Sequence, residues 1–205
     1  MPASLSKNWF KLVTVVILAA IIGAVFYSSK SKGDALPIVK QAPAFAMTNV
    51  LSGKETQLAE SAGTVRLMEF IYTNCPDVCP ATTYNMVLLQ NELKQKGLFG
   101  KNVTFLAVTY DPDRDTPEVL QTYGDRLGID RSGWQLLRGQ EAQTKKIAND
   151  YGIIVEKLKD GTFMHSNLSL VLIDGKNNIR RIYEMGNEMD NDKILADIVK
   201  LTKES

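Results

Sequence analysis

The sequence predicts an α/β domain, a central mixed sheet flanked by helices, behind one N-terminal transmembrane helix. Three observations carry this. Near-continuous apolar runs at 65–72 and 103–110 read as strands buried on both faces. The segment between them has helical periodicity, so strand, helix and strand make a right-handed βαβ unit the default. Trp9 to Tyr27 is apolar apart from Lys11 and Thr14.

The totals bound the function. A chain of 205 residues allows one ordinary domain plus an appendage. Lys and Arg number 24 against 23 Asp and Glu, for a net charge of +1. That balance argues against a nucleic-acid partner, which calls for a basic patch or stripe. Two cysteines and one histidine are too few for a closed four-ligand zinc site unless a carboxylate joins.

The apolar run at the N-terminus reaches about 28 Å as a helix, close to one hydrocarbon core. Trp9 and Tyr27 suit the two interfaces, and Lys11 lies near enough to one end to snorkel. The rival is a cleaved signal peptide. The absence of a small-x-small site at 28–32 and of a lipobox cysteine favours an uncleaved anchor over 1–28. Lys7 and Lys11 before the span are balanced by Lys30 and Lys32 after it. The short N-terminal tail makes N-in the simpler topology, with the domain outside the cytoplasm. Residues 29–40 then read as a polar tether and 41–205 as the soluble domain.

Within that domain, 45–50 and 55–58 read as a hairpin around Ser52-Gly53-Lys54. The strand at 65–72 leads into a helix over about 81–96, with Tyr84, Val87, Leu88 and Leu93 at helical spacing and Gly97 as its stop. Pro80 suits the first helical position and Cys79 the N-cap, where the helix dipole favours thiolate. After the strand at 103–110, Thr116 and Pro117 start a helix that ends at Leu127-Gly128. A short strand at 134–137, a helix at 141–151 and strands at 153–158 and 167–173 follow, the last two joined by a loop centred on Asp160-Gly161. The turn at 174–178 leads to a returning strand at 179–183. Asp190 or Asn191 caps a last helix with Ile194, Leu195, Ile198 and Leu201 on one face. Hairpins flanking a βαβ core, with thiols in a strand-to-helix loop, make a thioredoxin-like layered domain.

Chemistry concentrates in Tyr72-Thr73-Asn74-Cys75-Pro76-Asp77-Val78-Cys79-Pro80, which holds both cysteines. Two thiols so spaced can form a disulfide, ligate a soft metal, or alternate between those states. Otherwise they are small buried hydrophobes. Asp111, Asp113 and Asp115 lie in a loop at the C-terminal end of a strand, the edge where α/β sheets bind ligands. They also serve simply as turn and cap residues. His165, the single histidine, precedes an apolar strand. If it meets the cysteines, two thiolates and an imidazole form a coherent set for copper, soft sulfur selecting Cu(I) and imidazole also suiting Cu(II).

The stretch Ile71-Tyr72-Thr73-Asn74-Cys75-Pro76-Asp77-Val78-Cys79-Pro80 resembles the signature of the Sco/SenC copper chaperones. Asp111-Pro112-Asp113-Arg114-Asp115-Thr116-Pro117 resembles their second characteristic stretch, and His165-Ser166 with the strand ending Leu172-Ile173-Asp174-Gly175 their third. Tyr110 departs from the pattern, which more often has an aliphatic residue there. The resemblance implies a thioredoxin-fold domain on the periplasmic or other extracytoplasmic side of the cell's inner, cytoplasmic membrane. It implies copper held by Cys75, Cys79 and His165. It also implies delivery to the copper A site of cytochrome c oxidase subunit II, or to another copper acceptor, or upkeep of that site's cysteines.

Two functions of different class follow. A metallochaperone binds copper through the reduced dithiol and releases it by ligand exchange, which couples loading to redox state. A thiol–disulfide oxidoreductase uses Cys75 and Cys79 as attacking and resolving thiols on a partner disulfide. The three residues between the cysteines, against the two usual in dedicated oxidoreductases, favour the chaperone, as does His165, which exchange does not need. A peroxidase lacks an evident activating arginine. Asp111 is a candidate fourth ligand by its place at the sheet edge.

Overall fold

The computed structural model describes residues 5–32, 35–158, 163–166 and 169–204. The chain divides into two compact units, one ending at Leu36 and the other beginning at Pro37. The first holds helix α1 (Leu5–Lys32), on which Trp9, Leu12, Val15, Val16, Ile17 and Ile22 are exposed. Among the described residues no helix is long and apolar enough to cross a membrane. The expected span at 9–27 runs into residues 25–32, whose side chains lie outside the described ones.

The second unit is built on an eight-stranded mixed sheet. Its strands are β1 (Lys40–Gln41), β2 (Ala46–Asn49), β3 (Lys54–Gln57), β4 (Val65–Ile71), β5 (Val103–Thr109) and β6 (Trp134–Arg138). A pair outside it comprises β7 (Ile154–Lys157) and β8 (Phe163–Ser166); β9 (Leu170–Ile173) and β10 (Asn178–Tyr183) complete the main sheet. The order across that sheet is β1-β10-β9-β4-β5-β6-β2-β3. β4, β5 and β6 run parallel, and the other pairings are antiparallel. The helices are α2 (Val78–Gln95), α3 (Pro117–Leu127), α4 (Glu141–Asp150) and α5 (Asn191–Leu201).

The expected β4–α2–β5 unit is present, and every residue of β4 is buried. Its register runs from Val65 opposite Val103 to Ile71 opposite Thr109. The two strands therefore stop side by side, and the loops that leave them, one with the cysteines and one with the aspartates, start as neighbours. α3 begins as its sequence predicts, with Pro117 first and the Thr116 hydroxyl accepting from the Val119 N–H at 3.4 Å. Gly128 closes it in the left-handed region, at φ 83°.

Several expectations are corrected. α2 starts at Val78 with Asp77 as its N-cap, so Cys79 is the second helical residue and Pro80 the third. Proline costs no hydrogen bond there, because the first four N–H groups of a helix have no intrahelical acceptor. The buried residues of α2 are Cys79, Thr82, Thr83, Met86, Val87, Leu89, Gln90 and Leu93, so Val87 and Leu93 are inside as expected while Tyr84 and Leu88 are exposed. Polar residues take the inner face because each finds a partner: Thr82 with the Gly186 N–H, Thr83 with Glu69, and Gln90 with the Trp134 indole N–H. Leu58 leaves the hairpin for a 3-10 turn, Leu58–Ser61. Val39 and Lys40, expected in a tether, belong to the sheet edge: the Val39 N–H donates to the Ile179 carbonyl at 2.8 Å, and Lys40 lies opposite Ile179. Phe163–Ser166, expected in or beside a loop, is a strand paired with β7, with His165 opposite Val155. The centre of that loop, Asp160-Gly161, lies outside the described residues, as do 167 and 168 at the start of the strand expected over 167–173.

Candidate metal centre

Neither cysteine is in a disulfide, and both are buried, in the loop from the end of β4 into the first turn of α2. The Cys75 N–H donates to the Tyr72 carbonyl at 3.1 Å, closing a tight turn. The Cys79 N–H then donates to Cys75 Sγ at 3.4 Å. Here the sequence expectation is reversed. The positive end of α2 is directed at Cys75, not at Cys79. The Cys79 thiol is pushed up, first by its hydrogen bond with Cys75, then by burial. Both causes favour the protonated thiol at Cys79, and a bound cation would favour the thiolate, its proton passing to solvent.

Cys75 opens onto a cavity of about 250 Å³ lined by Thr73, Pro80, Tyr123, Arg126 and Leu127. Cys79 has no exposed surface. The pair is thus asymmetric, with one sulfur reachable and one enclosed.

The aspartate loop supports the cysteine loop. Asp115 is fully buried and accepts from the Thr73 N–H at 3.2 Å, the Thr73 hydroxyl at 2.5 Å and the Thr109 hydroxyl. Burial pushes its carboxyl up, and these hydrogen bonds oppose the shift. The Arg138 guanidinium holds the same loop through the Pro112 and Asp115 carbonyls. Asp111, the candidate fourth ligand, is buried and ion-paired with Arg114, with Lys157 at 3.8 Å. Asp113, largely exposed, lies 3.5 Å from Lys157.

His165 stands on β8, and its side chain lies outside the described residues. The same strand contributes Phe163, whose ring is 5.2 Å from that of Tyr72 and 5.1 Å from that of Tyr110. Tyr72 and Tyr110 are themselves 5.3 Å apart. This aromatic trio packs the strand that carries His165 against the root of the cysteine loop. Among the described residues no group of three His, Cys, Asp or Glu gathers as a metal site. The two thiols are brought together; a third donor is not among those side chains.

One residue escaped the sequence reading. Glu69, in the middle of β4, is completely buried and accepts from the Thr83 hydroxyl at 2.9 Å. The Thr83 hydroxyl also meets the Tyr123 hydroxyl at 2.8 Å. Burial pushes the Glu69 carboxyl up to about 8. Its signal in the sequence was a lone acid inside an apolar strand.

The family model for SCO1/SenC matches residues 39–203. The SCO1 protein homolog of Bacillus subtilis is 29% identical over 150 residues, 71% of this chain and 75% of that protein. The crystal structure of a SCO1/SenC family lipoprotein from Bacillus anthracis superimposes with a TM-score of 0.72 at 30% identity, covering 79% of this chain and 95% of that one. Yeast Sco1 with copper bound shares the fold, with a TM-score of 0.66 at 24% identity over 81% of this chain and 90% of that one. With the thioredoxin-like sheet and the loop placing both thiols at its edge, the match over most of the length leads to one conclusion: the chain belongs to the SCO1/SenC family.

Proposed function

We propose that this protein is a membrane-anchored copper metallochaperone. Cys75 and Cys79 supply two thiolates and His165 a nitrogen, and the ion passes by ligand exchange to the copper A site of cytochrome c oxidase subunit II. The observation that carries this reading is the pair of reduced thiols in one loop turn, with the Cys79 N–H on the Cys75 sulfur. Two adjacent soft donors fit Cu(I), and their burial limits competition from water. Cys75, reachable from the cavity, is where an acceptor thiolate would enter. The likeness to copper-bound yeast Sco1 is one of fold, so the copper reading rests on this chain's own donors. Likeness to a Sco protein described as belonging to a family of cytochrome c oxidase assembly proteins supports an acceptor in that oxidase.

Copper titration of the reduced protein tests it. One copper per chain is expected, with thiolate-to-Cu(II) charge transfer when Cu(II) is used. Unchanged binding in a Cys75→Ala, Cys79→Ala double variant overturns it.

A thiol that lines the cavity and one that is enclosed also suit a thiol–disulfide oxidoreductase, Cys75 attacking and Cys79 resolving. In that reading a partner's disulfide is reduced as Cys75 and Cys79 are oxidised, so the same site maintains the acceptor's cysteines. Reduction of a partner disulfide by the metal-free protein would favour it.

The anchor belongs to the same proposal. Exposed Leu12, Val15, Val16, Ile17 and Ile22 on α1 suit lipid better than water. With the N-terminus inside, the domain lies on the periplasmic face of the inner membrane. Protease added to that face should remove it; full protection of a domain shown to be protease-sensitive reverses the orientation.

A further inference from the structure

Arg126 is exposed in the last turn of α3, and it lines the cavity onto which Cys75 opens. A second cavity of about 290 Å³ adjoins the first, Thr73, Tyr123 and Arg126 lining both. The walls are fixed. Asp115 holds Thr73 by its N–H and its hydroxyl. The Tyr123 hydroxyl lies 2.8 Å from the Thr83 hydroxyl, which ties α3 to α2. The acids near Arg126 are engaged or distant. Asp125 accepts from Arg131 at 2.9 Å, and Asp130 pairs with Lys94. Glu118 lines only the second cavity, two turns back along α3 and roughly 12 Å away along its axis. No acid among the described residues pairs with Arg126. A basic residue in a last helical turn also suits the helix dipole, but that role needs no cavity and no sulfur beside it.

We infer that Cys75 and Arg126 form a substrate site for small disulfides that carry a carboxylate a few bonds from sulfur. The inference rests on the dithiol chemistry proposed for Cys75 above and is independent of copper. Arg126 determines the specificity. Its guanidinium is a planar fork of donors that matches a carboxylate in two parallel hydrogen bonds. A carboxylate held there leaves its disulfide in the cavity that Cys75 lines. The Cys75 sulfur bonds to one substrate sulfur, the substrate S–S bond breaks, and one small thiol leaves. Cys79 then attacks the Cys75 sulfur of the mixed disulfide, and the second small thiol leaves. In balance, one substrate disulfide is reduced to two thiols while the two protein thiols are oxidised to one disulfide, their protons passing to the products. The enclosed position of Cys79 keeps the first attack on Cys75.

A charge series on the whole protein tests it. Oxidation of the reduced dithiol is followed with 3,3′-dithiodipropionate, bis(2-hydroxyethyl) disulfide and cystamine, which place an anion, no charge and a cation at similar distances from sulfur. Each variant's rate is divided by the wild type's with the same reagent, so intrinsic reactivity cancels. Arg126→Gln should slow the reaction with dithiodipropionate about fivefold and leave the neutral reagent unchanged. Arg126→Glu should also speed the reaction with cystamine, and Arg126→Lys should keep part of the preference for the anion. The wild-type preference should shrink as salt is raised. Arg126 is exposed, so these variants should fold. Unchanged rates with all three reagents, or an equal loss with all three, overturn the inference while leaving the dithiol chemistry in place. A reduced wild-type protein that reacts with none of them, the neutral one included, defeats the dithiol reading itself, and the inference with it.

Discussion

Asp115 grips Thr73 twice, accepting its backbone N–H at 3.2 Å and its hydroxyl at 2.5 Å, two residues before Cys75. The residue that seemed to be a turn former is thus what holds the cysteine loop against the end of β5.

Asp115→Ala should therefore act on the cysteine loop. The Thr73 N–H and the Thr73 and Thr109 hydroxyls lose their acceptor in a buried place. A cost of about 2 to 3 kcal/mol is expected in urea unfolding. Asp115→Asn keeps one acceptor oxygen and should cost less. Equal stability of the alanine variant and the wild type would show that water replaces the carboxylate.

Glu69 gives stability a pH dependence of definite sign. Its carboxyl is pushed up to about 8 by burial, against an ordinary value of 4.5. Between those values the folded chain holds a proton that the unfolded chain releases. Its contribution is full below about pH 4.5 and is lost as pH rises through about 8. The loss is on the order of 5 kcal/mol. Glu69→Gln cannot ionise, so its unfolding free energy should vary less across that window. Parallel profiles for variant and wild type would mean that the carboxyl titrates in its ordinary range.

How much of this could be read beforehand follows from which interactions are local. Strand β4, strand β5 and the capped helix α3 announce themselves through apolar runs and through Thr116, Pro117 and Gly128, all within a few residues of the element they define. The cysteine loop was legible for the same reason. The inner face of α2 was not, because Thr82, Thr83 and Gln90 are buried only by virtue of partners 14 to 104 residues away. The direction of the helix N-terminus was misjudged by the same route. An offset of two residues, with the N-cap at Asp77, moves the favoured sulfur from Cys79 to Cys75. Strand β8 failed as a strand because, among the described residues, it pairs with β7 alone, and short two-stranded pairs carry little periodicity.

Gly186 clamps the start of the cysteine helix from the far end of the chain. Its N–H donates to the Thr82 hydroxyl at 2.7 Å and its carbonyl accepts from the Asn85 amide at 2.9 Å. It sits at φ 69°, where a side chain is strained. A Cβ there would lie 3.4 Å from Val78 Cγ1, so the cost is chiefly one of backbone. Gly186→Ala should destabilise by about 1 to 2 kcal/mol. Faster hydrogen exchange at the first turns of α2 should accompany the loss. Protection confined to normal values there would break the link between this turn and the cysteine helix.

His165 decides between the two proposed functions. It lies on β8 opposite Val155, on a strand already fixed to the cysteine loop by Phe163. The fold should therefore survive His165→Ala. If the protein is a copper chaperone, the variant keeps both thiols and loses one ligand. A two-sulfur site satisfies Cu(I) linearly but holds Cu(II) poorly. Cu(II) binding should weaken and its spectrum change, while Cu(I) is retained more nearly. The Cys75–Cys79 disulfide should still form and reduce, and oxidase assembly in the host should fail. If the protein is an oxidoreductase, exchange needs a thiolate and access to it, not this imidazole, so partner reduction and oxidase assembly should both persist. Wild-type copper spectra together with normal oxidase assembly in the variant would remove His165 from the site and shift the assignment to dithiol chemistry. The measurements are copper titration, disulfide potential and oxidase activity on one variant, so a general loss of fold would show in all three at once.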